Sequence, residues 1–176
     1  MKSGPGRAIV RGSRPNGTLA RALPPFLPTV GYAAAFGLAA GLCALTGVMM
    51  GGWETPAKIR TIFLLYSAGG ALAFPSGIVL ARILAHGARG ETAFAAAFVA
   101  LTLTTLAMTA GLFGLQYRVY YAQWHVEALT WIWFKQLLYT MAAAAYQFGV
   151  LGLRLYFPFG FIALLAASLW FARQPR

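Results

Sequence analysis

From residue 27 onward the chain is a series of long apolar runs, each ended by a short cluster of glycine, proline or charge. The first covers residues 27–50. It is entered past Pro24, Pro25 and Pro28 and left through Gly51, Gly52, Trp53, Glu54, Thr55 and Pro56. As a helix it reaches about 36 Å, enough to cross a hydrocarbon core of about 30 Å. A second run, residues 59–84, carries Pro75 in its middle beside Ser76 and Gly77. Proline there removes one backbone hydrogen bond and predicts a kink, with Ser76 placed to satisfy the freed carbonyl. The third run, residues 93–116, leads into an aromatic segment at 118–127.

Residues 129–171 are almost continuously apolar, with Lys135, Gln136, Gln147 and Arg154 as the strongly polar exceptions. One helix of that length would measure about 64 Å, roughly twice the membrane core, so the stretch must turn. Arg154 to Pro158, followed by Gly160, is the best turn. It yields spans at 131–153 and 159–171. The second of these is short enough to suit a re-entrant or interfacial helix, although it lacks the charged face that an interfacial helix needs. The expected fold is therefore an all-α, polytopic transmembrane bundle of five spans, or of four spans plus a re-entrant or interfacial C-terminal helix. It occupies residues 27–172, between a basic flexible tail at 1–26 and a short basic tail at 173–176.

Composition supports this class. Hydrophobic residues make up 60% of the 176 and charged residues 10%, against roughly 45–50% and about 25% in soluble domains. A small globule cannot hide that much apolar surface. The net charge of +11 would suggest nucleic acid in a soluble chain. Here Lys2, Arg7, Arg11, Arg14 and Arg21 cluster before the first span, which reads as a topology signal facing anionic lipid. No nucleic-acid partner is expected. The single Cys43 excludes an intrachain disulfide framework or thiolate metal site, and reads as a small buried hydrophobe.

The positive-inside rule puts the N-terminus in the cytoplasm, in a bacterial inner membrane. Loops then alternate: 51–58 outside, 85–92 inside, 118–128 outside, and the turn at Arg154 inside. Five spans would leave Arg173 and Arg176 outside, so that pair fits four spans better.

Candidate chemistry is sparse. The three acidic residues, Glu54, Glu91 and Glu127, all fall in loops, and there is no aspartate. Motifs for nucleotide, zinc or calcium binding are absent, and neither metal ligands nor a catalytic set can be named. No cofactor is assigned. His86 and His125 fall on opposite sides of the membrane, which argues against a bis-histidine haem within one chain. One polar concentration, Arg118, Trp124, His125, Glu127, Trp131 and Lys135, suits either an aromatic anchoring belt or a surface for a partner subunit. On a helix, Glu127, Trp131 and Lys135 would share a face. Arg154 belongs at headgroup level or, if the turn lies elsewhere, at a lipid phosphate, another anion or a partner carboxylate.

Small residues recur at helical spacing: Gly37 with Gly41, Gly47 with Gly51, Ala73 with Gly77, and the stripe Ala142, Ala145, Gly149 and Gly152. Such faces let helices approach closely in lipid, so Gly149→Leu is expected to disrupt packing. Thr102, Thr105 and Thr109 share one face of the third span, where hydroxyls can bond back to their own helix. Two readings of function follow. The first is a non-catalytic accessory subunit packing within a larger membrane protein complex, with lipids and other integral membrane subunits as partners. The alternative is a small oligomeric transporter or channel for a neutral or lipid-like substrate, built on the Pro75 kink and the threonine face.

Overall fold

The computed structural model describes residues 26–52 and 55–174. The basic tail residues, Trp53, Glu54 and Arg176 lie outside the described residues.

Three helices are long and apolar enough to cross a membrane: α1 (Phe26–Gly51), α2 (Pro56–Leu84) and α3 (Glu91–Tyr121). Local chemistry sets their ends. Pro56 occupies the first turn of α2, where its missing N–H has no intrahelical partner to lose. Gly87 and Gly90 take positive φ values of 71° and 59°, a left-handed backbone that side chains resist, and so reverse the chain between α2 and α3. Glu91 in the first turn of α3 and Arg118 in its last both complement the helix dipole.

Close backbone contact joins these helices, with α2 between α1 and α3. A Cβ added at Gly37 would fall 2.8 Å from the Ala71 Cβ, and one added at Gly70 would fall 3.1 Å from the Gly37 Cα. Gly41 lies against the Ser67 hydroxyl. On the other face of α2, Gly69 lies against Thr109, and a Cβ at Gly77 would meet Leu101 Cδ2 at 2.8 Å. Ala73 is fully buried between them. Such small-residue seams hold helices together where lipid removes the hydrophobic drive to pair. α2 runs through Pro75 as a single helix. Ser76 Oγ donates to the carbonyls of Ala73 (3.0 Å) and Leu72 (3.4 Å). It therefore caps the neighbours of the proline gap and not the Ala71 carbonyl that Pro75 deprives of its donor.

The stretch after residue 129 departs from the expected pattern. α4 (Trp131–Gln147) continues through a π-helical turn (Phe148–Gly152) and a 3₁₀ turn (Leu153–Tyr156). It then bends by 77° into α5 (Phe159–Ala172). α4 does not descend through the bundle. Trp133 lies under Arg118, Met141 beside Gly114, Gln147 on the Tyr117 hydroxyl and Phe148 near Phe113. From Trp133 to Phe148 the helix advances about 22 Å, yet its partners on α3 span only about 7.5 Å. α4 thus crosses α3 steeply at the end of the bundle remote from the chain's start, called here the far end.

α5 completes the crossing. Its Gly160 N–H reaches Cys43 on α1, and its Trp170 ring lies 4.7 Å from that of Tyr32 near the start of α1. It therefore runs antiparallel to α1 and ends where α1 begins, the tail end. The expectation of five spans is corrected: three helices are long enough alone, and the bent pair makes a fourth, broken span or a re-entrant segment, so the total is at most four. With only 14 residues, α5 covers about 21 Å, too short to span the membrane alone.

Two apolar cores stabilise this arrangement. One, at the tail end, unites Phe36, Phe74, Ile78, Ala97, Leu101, Leu164 and Phe171. The other unites Ala40, Ala44, Tyr66, Phe148 and Tyr156 around the bend.

Candidate functional site at a broken membrane helix

Backbone that leaves the helical pattern inside a membrane must find hydrogen bonds within the protein, because lipid supplies none. The junction between α4 and α5 is where this chain meets that demand. The Tyr66 hydroxyl, from α2, donates to the Gly152 carbonyl at 2.8 Å. The Cys43 thiol, from α1, donates to the Leu155 carbonyl at 3.2 Å and accepts from the Gly160 N–H at 3.1 Å. Tyr156 shares a 2.6 Å hydrogen bond with Thr109 of α3. Within the junction itself, the Phe157 N–H donates to the Arg154 carbonyl and the Ile162 N–H to that of Pro158. The rings of Tyr66 and Tyr156 stand 5.0 Å apart and close the junction from the α2 side. Each of α1, α2 and α3 thus contributes one polar side chain to the break.

These side chains are hydroxyls and a thiol, and each is engaged in a hydrogen bond that holds the junction. Beside the junction, Phe36, Ala40, Thr105, Tyr156, Gly160, Ala163 and Leu164 line a void of about 10 Å³, room for roughly one water. Among the described residues no three His, Cys, Asp or Glu side chains come together.

The threonine face divides. Thr109 is fully buried and bonded to Tyr156, whereas the buried hydroxyl oxygens of Thr102 and Thr105 have no hydrogen-bond partner. The back-bonding threonine is instead Thr104, which donates to the carbonyls of Ala100 and Leu101.

At the far end, the expected polar concentration is spread over a collar. Arg118 lies 5.1 Å from the centroid of Trp133 and Lys135 5.5 Å from that of Trp131, both within cation–π range. His125 bonds Thr140 at 3.2 Å. Trp124 is exposed beside the rings of Tyr120 and Tyr121. Glu127 does not share a helical face with Trp131 and Lys135. Leu129 takes φ 69° and Thr130 caps α4, accepting from the Trp133 N–H, so Glu127 stands before the helix. His86, in the connector after α2, lies at the tail end, the length of α3 away from His125.

Arg154 needs correction too. Its turn was expected at the tail end, but Leu155 next to it packs on Gly47, about one helical turn inside the far end of α1. The steep path of α4 keeps the turn in the far half.

The small-residue seams also separate. Gly37, Gly41, Ala73 and Gly77 lie in helix contacts, and Gly47 receives Leu155. Gly51 is exposed at the end of α1. Of the α4 stripe, Gly152 alone packs, against Tyr66 and Phe148. Ala142, Ala145 and Gly149 face outward, and nothing lies within 4 Å of a Cβ added at Gly149. Within the chain, therefore, Gly149→Leu meets no neighbour.

Cys43, Tyr66, Tyr156 and Gly160 were not singled out from sequence as a polar set. Their signal was slight: isolated polar or small positions in three separate apolar runs, meaningful only once the break brought them together. The chain matches no family model, no curated protein and no solved structure.

Proposed function

We propose that this protein is a non-catalytic integral membrane subunit that packs within a larger membrane protein complex. The observation that supports this most directly is the outward face of α4. Gly37, Gly41, Gly47, Ala73 and Gly77 of α1 and α2 are covered by neighbouring segments, whereas Ala142, Ala145 and Gly149 are open. They are flanked by Tyr139 and Tyr146, 74% and 73% exposed, and Ala144 is the one buried residue of α4. A small-residue face bordered on one side by aromatic side chains lets another helix approach closely.

We further propose that the tail end faces the cytoplasm of a bacterial cell, with the bundle in the inner membrane. The basic residues that precede α1 support this orientation. With only Ser3 and Ser13, and broken by glycine and proline, the tail is poorly suited to an organellar presequence.

The test is Gly149→Leu, purified from native membranes beside the parent chain. The expected result is an unchanged unfolding temperature in detergent together with loss of co-purifying membrane subunits. A parent chain that is strictly monomeric both in mild detergent and in native lipid overturns the proposal.

A further inference from the structure

The junction that holds the broken crossing together also presents one charge to the membrane. Gly152 is tied to Tyr66, Leu155 to Cys43 and Gly47, and Tyr156 to Thr109. These anchors sit on the inner side of the 3₁₀ turn. Arg154 occupies the outer side and is exposed, with Leu153 and Phe157, 42% and 68% exposed, on either side. Its backbone is therefore fixed by the core, while its side chain stands on an apolar, lipid-facing surface.

Glu54 lies outside the described residues, and within them no carboxylate lies near Arg154. The carboxylates there are Glu91 and Glu127. Glu91 opens α3 at the tail end. Glu127 precedes α4, whose helical path to Arg154 is about 35 Å long. An arginine on an apolar surface is costly unless its head reaches an anion or water. Leu155 packs about one turn inside the far end of α1, so an extended arginine side chain reaches the headgroup layer.

From this placement we infer that Arg154 binds the phosphate of an anionic phospholipid in the far-end leaflet, with Leu153 and Phe157 against its acyl chains. The headgroup layer holds such phosphates at the height the guanidinium reaches, and guanidinium pairs with phosphate through two parallel N–H donors. The partner chemistry is thus a phosphodiester carrying a net negative charge, on a lipid and not free in solution.

The test uses the full chain in detergent, titrated with phosphatidylglycerol or phosphatidylcholine of matched acyl chains, with bound lipid counted by native mass spectrometry. The parent chain should prefer phosphatidylglycerol, and one cation beside an anionic headgroup contributes about fivefold to that preference. Arg154→Gln should lower that preference by about this factor without shifting the unfolding temperature, and Arg154→Lys should lower it less. Arg89→Gln, which removes the same charge at the tail end, should leave it intact. No preference in the parent chain, an undiminished preference in Arg154→Gln, or an equal loss in Arg89→Gln overturns the inference. Because the titration contains no other subunit, its outcome is independent of whether the chain packs in a complex.

Discussion

At the scale of single residues, Cys43, Tyr66 and Thr109 hold the broken segment against the other helices. Tyr66 illustrates this. Its ring packs against Phe148 and Tyr156 while its hydroxyl satisfies the Gly152 carbonyl in the middle of the break. Tyr66→Phe keeps the packing and removes the donor. Hydrogen bonds between membrane helices contribute about 0.6–2 kcal/mol, so the variant should lose stability in that range in reversible unfolding from mixed micelles. A loss indistinguishable from zero would mean that the Gly152 carbonyl finds another donor. Cys43 was expected as a buried apolar filler; it is buried, and in addition it bridges Leu155 and Gly160. Sequence could show that Cys43 sits in an apolar run, but not that two backbone groups distant in the chain would meet its sulfur.

At the scale of elements, the π turn at Phe148–Gly152 decides the course of the chain. A π turn inserts an extra residue into the helical repeat and often marks a functional or structural irregularity. Here it aims Tyr156 at Thr109 and Leu155 at Gly47. Deleting Val150, an exposed member of that turn, rotates everything after it by about 100°. The Tyr156 hydroxyl would then leave Thr109, and Arg154 would turn toward the core. The deletion is expected to abolish a cooperative unfolding transition in detergent. Deleting Ala128 from the exposed connector before α4 should preserve it. Equal behaviour of the two deletions would show that the turn is a passive irregularity. The apolar run itself revealed only that 43 residues cannot remain one span; a run of uniform hydropathy has no feature that marks where an extra residue enters the repeat.

At the scale of the whole molecule, the bent pair brings the chain back to the end of the bundle where α1 starts, with Arg173 after α5 at the same end as Arg82 and Arg89. This removes the conflict between the C-terminal arginines and a five-span count. It also shifts Arg154 to the far end, beside Lys58, Arg60, Arg118 and Lys135. The charge difference between the two ends then depends on the basic residues before α1. Replacing Lys2, Arg7, Arg11, Arg14 and Arg21 by Gln should give a mixed orientation in the membrane. Labelling single cysteines at Arg89 and Gln123 from one side reads this out. In the parent chain only one of the two positions should react; in the variant, both should. Unchanged one-sided labelling would show that other features set the orientation.

The apolar runs, read by length alone, determined that the chain is an all-α membrane protein with helices near 27–50, 59–84 and 93–116. The sequence positions of Glu54, Glu91 and Glu127 likewise determined that no carboxylate lies within those runs, although Glu91, read as a loop residue, opens α3. These properties depend only on the order of apolar and polar residues, because a bilayer selects by length and hydropathy. Tertiary structure alone decided that α4 lies across the far end, that α5 returns to the tail end, and that Arg154 stands in the far half of the bundle. It also decided which small-residue seams are filled and that Ala142, Ala145 and Gly149 stay open. Hydropathy is nearly the same for a helix that descends through a bundle and one that lies across its end. The choice between them rests on side-chain contacts such as Tyr66 with Gly152 and Cys43 with Leu155, which join residues far apart in the chain.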